Sequence, residues 1–313
     1  MDTMRVWVNG TFVDDTDAKL SVFDAGIQHG VGLFETMLAK NGRVFRATDH
    51  MNRLADSCAT LRLTEKLCVE PLVEALQLTL KENIQTEARL RLTITGGDLN
   101  LLQQTGESGK DPTIIIQSQP PTKYPGGFYQ KGTLVSLASG RVNPFAFTAG
   151  HKTLDYWGNL LNLQMSAMQQ CGEAIWLTPS ARVAGGCVSN VFGVKNGTLF
   201  TPIAQGEEGA EDEPSAVLPG ITRKVIMSIA NDLGVGTNKK QVAFDDLLDA
   251  DEVFLTNSSW GVLPVVGVRA TVQTEDGAGT QDQPICDGVV GALTKQLHAS
   301  YQDTVDRETT EQN

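Results

Sequence analysis

The sequence lacks the signatures of several large classes of protein. Its five cysteines are scattered, and no CxxC pair and no histidine at metal-ligand spacing occurs. This argues against a disulfide framework and against a zinc site. GxGxxG, GxSxG and P-loop motifs are also missing, so the usual signatures of nucleotide binding and of serine hydrolysis are absent. From the spacing of the cysteines and histidines, we predict no metal site.

Basic residues are scarce relative to acidic ones. Lys and Arg number 25 against 37 Asp and Glu, which gives a net charge of −12. Such a charge repels polyphosphates and anionic lipids. No apolar run reaches the roughly 20 residues of a membrane helix, and the start MDTMRVWVNG lacks a basic segment followed by an apolar one. We expect no nucleic-acid partner, no membrane partner and a cytoplasmic location.

Local patterns predict a mixed α+β protein with two domains, as the length of 313 residues favours. Asn-Gly pairs at 9–10 and 41–42 predict hairpins. The segment PPTKYPGG (120–127) is rich in proline and glycine, which oppose helix and strand. We therefore predict an N-terminal α+β domain (1–119), a linker (120–127), a C-terminal domain (128–301) and a polar, disordered tail (302–313).

One junction suggests an anion site. The segment Leu218–Thr222 (LPGIT) follows an irregular acidic stretch and opens an apolar-periodic helix. Free N–H groups and the helix dipole at such a start attract phosphate. A plain loop before a helix has the same pattern, so this junction predicts a phosphate site only together with other evidence.

Several sequence segments, in the order in which they occur along the chain, supply the further evidence for a phosphate site. The first half contains VNGTFV, LSVFDAGIQHGVGLFETM and GRVFRATDHMNRLADS, and the second contains KTLDY, VSNVFGVKNGTLFTP, LPGITR, DADEVFLTNSS and ICDGVVGALTKQL. Over nearly the whole chain they resemble the fold-type IV pyridoxal-phosphate enzymes, which include branched-chain and D-amino-acid aminotransferases and 4-amino-4-deoxychorismate lyase. The resemblance implies a small N-terminal α/β sandwich-like domain, a larger C-terminal pseudo-barrel domain that binds pyridoxal 5'-phosphate, and a homodimer.

The resemblance also implies roles for individual residues. Lys152 corresponds to the lysine that binds the cofactor covalently, a task that requires an amine held in place. Tyr156, one helical turn later, resembles the tyrosine that hydrogen-bonds the phenolic oxygen of the cofactor, although a packed aromatic has the same pattern. Arg53 matches the arginine of the HxxRL block, whose guanidinium clamps the cofactor phosphate. An exposed helix arginine is the alternative.

Further cofactor contacts are implied in the second half of the chain. The resemblance places the N–H groups of Ile221 and Thr222, and the Ser258-Ser259 region, around the phosphate. Leu218 resembles the residue that packs against the pyridine ring, and a plain core leucine is the alternative.

Three residues lie where family members line the substrate pocket. They are His29 in the GIQHGVG turn, Arg91 in ARLRLTITGG, and Trp260. A histidine in a turn is often structural, Arg91 alternates with leucines as on the polar face of any strand, and Trp260 fits a core position equally well. The stereochemistry of the substrate stays open.

The chain departs from the family pattern at one important position. Family members carry a glutamate four or five residues before the asparagine of the SNxF block, where it keeps the pyridine nitrogen protonated. Here Gly185 occupies that place, ahead of Asn190. Without a carboxylate the pKa of the ring nitrogen falls and a carbanion is less stabilised. Another acid, a neutral pyridine or lost activity would each account for the glycine. A loop adjustment, a β-bulge or a shift of the match by one or two residues is the alternative. A glycine here also fits a positive φ that glutamate resists.

Three functions follow from these observations. The first is a pyridoxal-phosphate-dependent aminotransferase that acts on an amino acid or related amine and a keto acid. The second is a 4-amino-4-deoxychorismate lyase that releases pyruvate, which the blocks at 30–36 and 256–258 resemble. The third is a catalytically silent homologue that binds the cofactor or another phosphate, and Gly185 is the reason for considering it. The aminotransferase is the favoured interpretation.

Overall fold

The computed structural model describes residues 3–65, 67–98, 112–210, 212–274 and 277–310. The chain divides into two compact units. Unit 1 comprises Met1–Thr122, His151–Asp155 and Val305–Asn313. Unit 2 comprises Lys123–Gly150 and Tyr156–Thr304. The chain first passes from unit 1 to unit 2 after Thr122, inside the predicted linker. Two short pieces of unit 1, His151–Asp155 and Val305–Asn313, were predicted to lie in the C-terminal domain and in the tail.

In its described residues, unit 1 contains a six-stranded sheet and several helices. In chain order its main elements are β1 (Arg5–Val8), β2 (Thr11–Asp14), α1 (Ala25–His29), β3 (Gly32–Lys40), β4 (Arg43–Val44), α2 (Ala47–Thr60), α3 (Val69–Glu82), β5 (Ala88–Thr95) and β6 (Ile114–Gln119). The strand order is β2-β1-β6-β5-β3-β4, with antiparallel neighbours throughout. The predicted hairpins are confirmed, since Asn9-Gly10 and Asn41-Gly42 form the turns with positive φ.

The sheet of unit 1 has one buried face and one polar face. Along β5, Leu90 and Leu92 are fully buried, whereas Arg89 and Arg91 are not. The buried face packs with apolar side chains of α2 and α3, such as Met51, as the period of two in a strand and of 3.6 in a helix dictates. The arginines are therefore left on the opposite face.

Unit 2 is built on a nine-stranded sheet with order β12-β11-β10-β13-β14-β7-β8-β9, and β15 pairs with β14. Its elements are α4 (Phe128–Lys131), β7 (Thr133–Leu137), α5 (Trp157–Met168), β8 (Glu173–Leu177), β9 (Val183–Gly186), β10 (Asn190–Lys195), β11 (Thr198–Pro202), α6 (Ile221–Asp232), β12 (Thr237–Lys240), α7 (Phe244–Leu248), β13 (Glu252–Asn257), β14 (Gly261–Thr274) and β15 (Gly277–Pro284). The sheet is mixed: the pairs β11–β12, β14–β7 and β7–β8 are parallel, and the other pairs are antiparallel. The predicted two-domain α+β fold is confirmed.

The prediction of a disordered tail over 302–313 is wrong for the part that the structure describes. A last helix, α8 (Ala292–Thr309), covers most of it, and residues 311–313 lie outside the described residues. Val305 and Thr309 are buried one helical turn apart, while Asp306 and Glu308 form ion pairs with Lys40 and Arg46. The polar composition that suggested disorder belongs to the other face of an amphipathic helix.

Candidate active site

Lys152 lies in unit 1, held against strand β3. Phe34 N donates to Lys152 O, and Leu154 N donates to Gly32 O, each at 3.0 Å. These two backbone bonds fix residues 151–155 to the edge of β3, which is why the segment belongs to unit 1. The predicted division, which put Lys152 in the C-terminal domain, followed chain order and had no means of detecting this pairing.

The Lys152 amine is buried beside charged side chains. Its Nζ lies 4.3 Å from the centroid of the Phe34 ring. Burial lowers the pKa of Lys152 to about 8; the charge of Glu35 opposes this shift, and Arg53 and Arg91 add to it. An amine with this pKa is partly uncharged near neutral pH, and the uncharged form is the nucleophile.

Behind the lysine, Glu35 binds both Arg53 and His50. Arg53 Nε donates to Glu35 Oε1 at 2.8 Å and Nη2 donates to Oε2 at 2.5 Å. His50 Nδ1 lies 2.8 Å from Oε2. Burial acts to raise the pKa of Glu35, but the Arg53 charge and the His50 hydrogen bond outweigh it and lower this pKa to about 2. Because an ionised carboxylate only accepts, His50 Nδ1 carries the hydrogen.

Arg53 is recognisable in the sequence as a candidate, but Glu35 and His50 were not predicted from it. A signal was present for Glu35: Leu33, Glu35 and Met37 share the buried face of β3, and a carboxylate at such a position requires a charged partner. The structure shows that Glu35 orients the Arg53 guanidinium. Binding of a phosphate by Arg53 stays a prediction.

In unit 2, the segment 187–190 is hydrogen-bonded to three parts of the chain that carry predicted cofactor residues. Tyr156 Oη donates to Cys187 O (2.9 Å), and Asn257 Nδ2 donates to Val188 O (3.2 Å). Asn190 Nδ2 donates to Leu218 O (2.8 Å). The structure thus brings Tyr156, the LPGIT loop and the Asn257–Trp260 turn to one place. Sequence reasoning missed the organising role of Asn190 and Asn257.

The LPGIT loop leads into helix α6 as predicted. The helix begins at Ile221 after Gly220, which has no capping side chain. A Cβ on Gly220 would lie 1.9 Å from Asn190 Oδ1, so only glycine permits this close approach. Ile221 and Thr222 are buried. N–H groups of an uncapped first turn favour an anion.

The turn after β13 is ordered by its own asparagine. Asn257 Oδ1 accepts hydrogen bonds from Ser259 N (2.8 Å) and Trp260 N (2.9 Å), while Ser258 is half-buried. Trp260 itself is buried in the core of unit 2, with its ring edge-on to that of Tyr124 at 6.1 Å. Trp260 is thus a core residue of unit 2, and its place in a substrate pocket stays a prediction.

The two other candidates for the substrate pocket differ. The Arg91 guanidinium carbon lies 3.8 Å from the centroid of the Phe34 ring, which also contacts the Lys152 amine. His29 is exposed at the last residue of α1, and no contact described for it joins this group. The structure therefore brings Arg91 to Lys152 and leaves His29 apart.

Gly185 has a conformation that explains why it is glycine. Its φ is +107°, which confirms the expected positive φ, and an added Cβ would lie 3.0 Å from Ser189 O. Both features disfavour a glutamate on this backbone.

A different carboxylate, Glu173, lies next to this glycine pair. A Cβ on Gly186 would lie 2.8 Å from Glu173 Cγ. The two oxygens of Glu173 accept four hydrogen bonds, from Ala174 N, Cys187 N, Val188 N and Ser189 Oγ. Burial raises the pKa of Glu173 to about 7, although these bonds counteract the shift. No sequence pattern distinguishes this residue, since a glutamate that opens a strand is commonly solvated.

Within the described residues, no helix has the length and apolar character needed to cross a membrane. Over the same part of the chain, no three His, Cys, Asp or Glu side chains are grouped as a metal site requires.

Known proteins resemble the chain in sequence and in fold. A putative branched-chain-amino-acid aminotransferase of Methanocaldococcus jannaschii is 31% identical over 300 residues, which are 96% of each chain. An aminodeoxychorismate lyase of Bacillus subtilis is 29% identical over 84% of this chain and 86% of its own. The crystal structure of the Escherichia coli branched-chain amino acid aminotransferase matches with a TM-score of 0.83 at 26% identity, covering 99% of this chain and 97% of that one. The family model for amino-transferase class IV matches residues 32–268. The chain therefore belongs to the class IV aminotransferase family.

Proposed function

We propose that this protein is a pyridoxal-phosphate-dependent aminotransferase that takes the amino group of an amino acid or related amine and passes it to a keto acid. The observation that carries the proposal is the buried Lys152 amine, with its pKa near 8. When bound, the cofactor supplies an aldehyde for this amine and a ring that accepts the electron pair of a broken substrate bond.

The candidate residues of each unit have distinct tasks in this proposal. Lys152 Nζ holds the cofactor and, once released by the substrate, moves a proton between the substrate carbon and C4′ of the cofactor. Glu35 keeps the Arg53 guanidinium in a fixed orientation, as binding of a phosphate requires. In unit 2, the first turn of α6 offers N–H groups to an anion. Tyr156 Oη donates its one hydrogen to Cys187 O and would have to redirect it to bind a phenolate oxygen.

Chemical trapping tests this proposal. The purified protein is loaded with pyridoxal phosphate and reduced with borohydride, and its peptides are analysed by mass spectrometry. We expect the cofactor mass on the peptide that contains Lys152. With an amino donor and a keto acid, the loaded protein is expected to form the new amino acid. A cofactor found on a different lysine would contradict the assignment of Lys152, and the absence of transfer with a panel of donors would contradict the reaction.

A lyase is the second candidate. The Bacillus subtilis lyase aligns with most of the chain, and the blocks at 30–36 and 256–258 resemble those of lyases. Lyase chemistry expels pyruvate and needs no keto-acid acceptor. Pyruvate that forms from 4-amino-4-deoxychorismate without an added acceptor would favour the lyase, whereas product that depends on the acceptor favours the aminotransferase.

Gly185 is the reason for a third candidate, a homologue that binds the cofactor without turnover. Glu173 is the carboxylate beside the Gly185-Gly186 pair, but its oxygens already accept four hydrogen bonds. We propose that Glu173 stabilises the turn at 187–189 and that the pyridine nitrogen has no glutamate partner at position 185.

Substitution of Gly185 tests the missing carboxylate. Gly185→Ala and Gly185→Glu are each expected to lower the free energy of unfolding by about 1–3 kcal/mol, because φ is +107°. We expect the wild-type protein to react slowly with ordinary amino acids. Measured on the folded fraction, Gly185→Glu is expected to react faster than Gly185→Ala, which carries the same backbone strain without the carboxylate. Fast wild-type half-reactions that both variants leave unchanged would contradict this premise.

Arg53→Ala is expected to weaken retention of pyridoxal phosphate by about 1.5–3 kcal/mol, the usual size of a hydrogen bond to a charged group. Arg53→Lys keeps the charge and is expected to lose less. Titration of folded protein with the cofactor, followed by fluorescence, measures both affinities. Because Arg53 also binds Glu35, the folded state of each variant is first checked by circular dichroism. An affinity that Arg53→Ala leaves unchanged would reject the phosphate role.

We also propose that the protein is a homodimer. Helix α5 carries no charged residue, and five of its apolar side chains are exposed: Trp157, Leu160, Leu161, Met165 and Met168. An apolar helix face on a chain of net charge −12 suits contact with a second copy, since contiguous exposed apolar patches mark interaction sites. Light scattering is expected to give twice the chain mass, and Leu160→Asp is expected to reduce it. A wild-type monomer would contradict the proposal.

A further inference from the structure

Arg223 lies in the first turn of α6, and its side chain is buried, with 1% of its surface exposed. Its guanidinium donates two hydrogen bonds to Glu207, from Nη1 to Oε1 at 3.0 Å and from Nη2 to Oε2 at 2.8 Å. Nη2 also donates to the carbonyl oxygen of Pro202, the last residue of β11, at 3.0 Å. Arg223 therefore joins the start of α6 to the end of β11 and to the Glu207 carboxylate.

Glu207 belongs to the acidic loop, which we define as residues 203–210 and 212–217. The loop is closed at its base, where Gln205 N donates to Val217 O at 2.9 Å. Inside the loop, Ala204 N donates to Glu207 Oε2 at 3.0 Å. The backbone of the acidic loop thus helps to hold the carboxylate that binds the guanidinium.

The charge of Arg223 requires such a partner. A cation in the first turn of a helix opposes the helix dipole, whose positive end lies there, and a guanidinium removed from water needs a carboxylate beside it. Burial acts to raise the pKa of Glu207, but the hydrogen bonds from Arg223 and from Ala204 N outweigh it and lower this pKa to about 2. Glu207 is therefore ionised at neutral pH and compensates the buried cation.

The turn that Arg223 anchors is the one proposed to bind the cofactor phosphate. Helix α6 begins at Ile221 after an uncapped Gly220, so the N–H groups of its first turn are available to an anion. Before the turn, Leu218 O accepts a hydrogen bond from Asn190 Nδ2 of β10. The segment is thus fixed to β10 before the turn and, through Arg223, to β11 and the acidic loop after the turn begins.

We propose that Glu207 is a positioning residue for the cofactor phosphate: it holds Arg223, and Arg223 holds the first turn of α6 where its N–H groups meet the phosphate. The inference rests on the proposed function and adds the acidic loop to the same site. Glu207 acts through the turn and makes no contact with the cofactor. Its effect is therefore confined to the phosphate, and pyridoxal, which lacks this group, is insensitive to it.

Paired titrations of the protein with pyridoxal phosphate and with pyridoxal, followed by absorbance, test this assignment. Glu207→Gln is expected to weaken pyridoxal phosphate by about 10–100-fold, as does the loss of residues that orient metal ligands, and to leave pyridoxal unchanged. Glu207→Asp keeps the charge and is expected to retain part of the affinity. Two controls are expected to bind both compounds like the wild type: Glu213→Gln, at an exposed glutamate of the same loop, and Lys239→Gln, whose exposed amine lies 3.2 Å from Glu207 Oε1.

A double variant separates positioning from stability. Glu207→Gln leaves a buried cation without its partner, which also destabilises the fold. Glu207→Gln with Arg223→Met removes both charges, so we expect urea unfolding to show that stability is regained. The double variant still lacks the tie between α6 and β11 and is expected to bind pyridoxal phosphate weakly. An affinity restored to the wild-type value in the double variant would overturn the inference, as would an equal loss of pyridoxal and pyridoxal phosphate in Glu207→Gln.

The outcomes also separate this inference from the proposed function. If the protein transfers amino groups and Glu207→Gln binds pyridoxal phosphate as tightly as the wild type, the proposed function stands and the inference fails. If Glu207→Gln loses affinity for pyridoxal phosphate alone but the wild type reacts with no amino donor, the role of Glu207 stands and the proposed function fails. A wild-type protein that binds no pyridoxal phosphate would overturn both.

Discussion

Lys152→Met is expected to make the folded protein more stable while abolishing amino transfer. The pKa of Lys152 is lowered from 10.5 to about 8, so between these pH values the unfolded chain binds the proton that the folded chain lacks. The free energy of unfolding therefore rises with pH from about 8 to 10.5, and below pH 8 the buried amine costs up to about 3 kcal/mol. Methionine fills a similar volume without that charge.

Denaturant unfolding of cofactor-free protein at pH 7, 9 and 10.5 measures this effect. At pH 7 we expect Lys152→Met to unfold with a free energy about 2–3 kcal/mol higher than the wild type, and to lack the rise above pH 8. Lys295→Met, at an exposed lysine of α8, serves as the matched control and is expected to change neither. A variant at position 152 with wild-type stability and the wild-type pH slope would show that the amine is not strained by burial.

Glu35→Leu is expected to destabilise unit 1 by about 3–5 kcal/mol. Its carboxylate binds Arg53 and His50 in a buried position, and removal of one partner leaves a buried cation without compensation. The pKa of Glu35 is lowered from 4.5 to about 2, so its stabilising contribution is complete above pH 4.5 and is lost as the pH falls toward 2. In Glu35→Leu this part of the acid dependence is expected to disappear.

Two further variants make the test specific to charge. Glu35→Gln keeps the volume and one acceptor, and we expect it to lose less stability than Glu35→Leu. The triple variant Glu35→Leu, His50→Leu, Arg53→Met removes every member of the group and is expected to recover much of the loss, because no charge is then left unpaired. Urea unfolding at pH 7 and pH 4 measures all four proteins. A triple variant less stable than Glu35→Leu would contradict the charge explanation.

Patterns local in the chain were the ones that sequence reasoning could resolve. The Asn-Gly hairpins and the start of α6 depend on φ preferences and helix termination within a few residues, and both were found. The pairing of Lys152 with Phe34 depends on residues more than a hundred positions apart, and chain order predicts the opposite unit. For this reason the position of Lys152 was not predicted, although its identity was.

The side chains of the candidate site also divide into those that local sequence identifies and those that only the folded structure identifies. Arg53, Lys152 and Tyr156 were recognisable from sequence blocks, but Glu35 and Glu173 become informative only when burial and hydrogen-bond partners are known. The tail was misjudged for a related reason, since its polar residues are the outer face of α8. Composition averages over both faces of a helix, and the structure separates them.

The discontinuity of unit 1 has a consequence for the order in which the chain can fold during synthesis. Its sheet is encoded first, the segment that carries Lys152 follows after the first stretch of unit 2, and the helical turn with Asp306 and Glu308 follows after the rest of unit 2. The ion pairs of Lys40 and Arg46 therefore close only after the whole of unit 2 has been translated. Contacts between such distant residues are slow to form. A ribosome-bound nascent chain accordingly carries an incomplete unit 1 until residues 305–309 have been made.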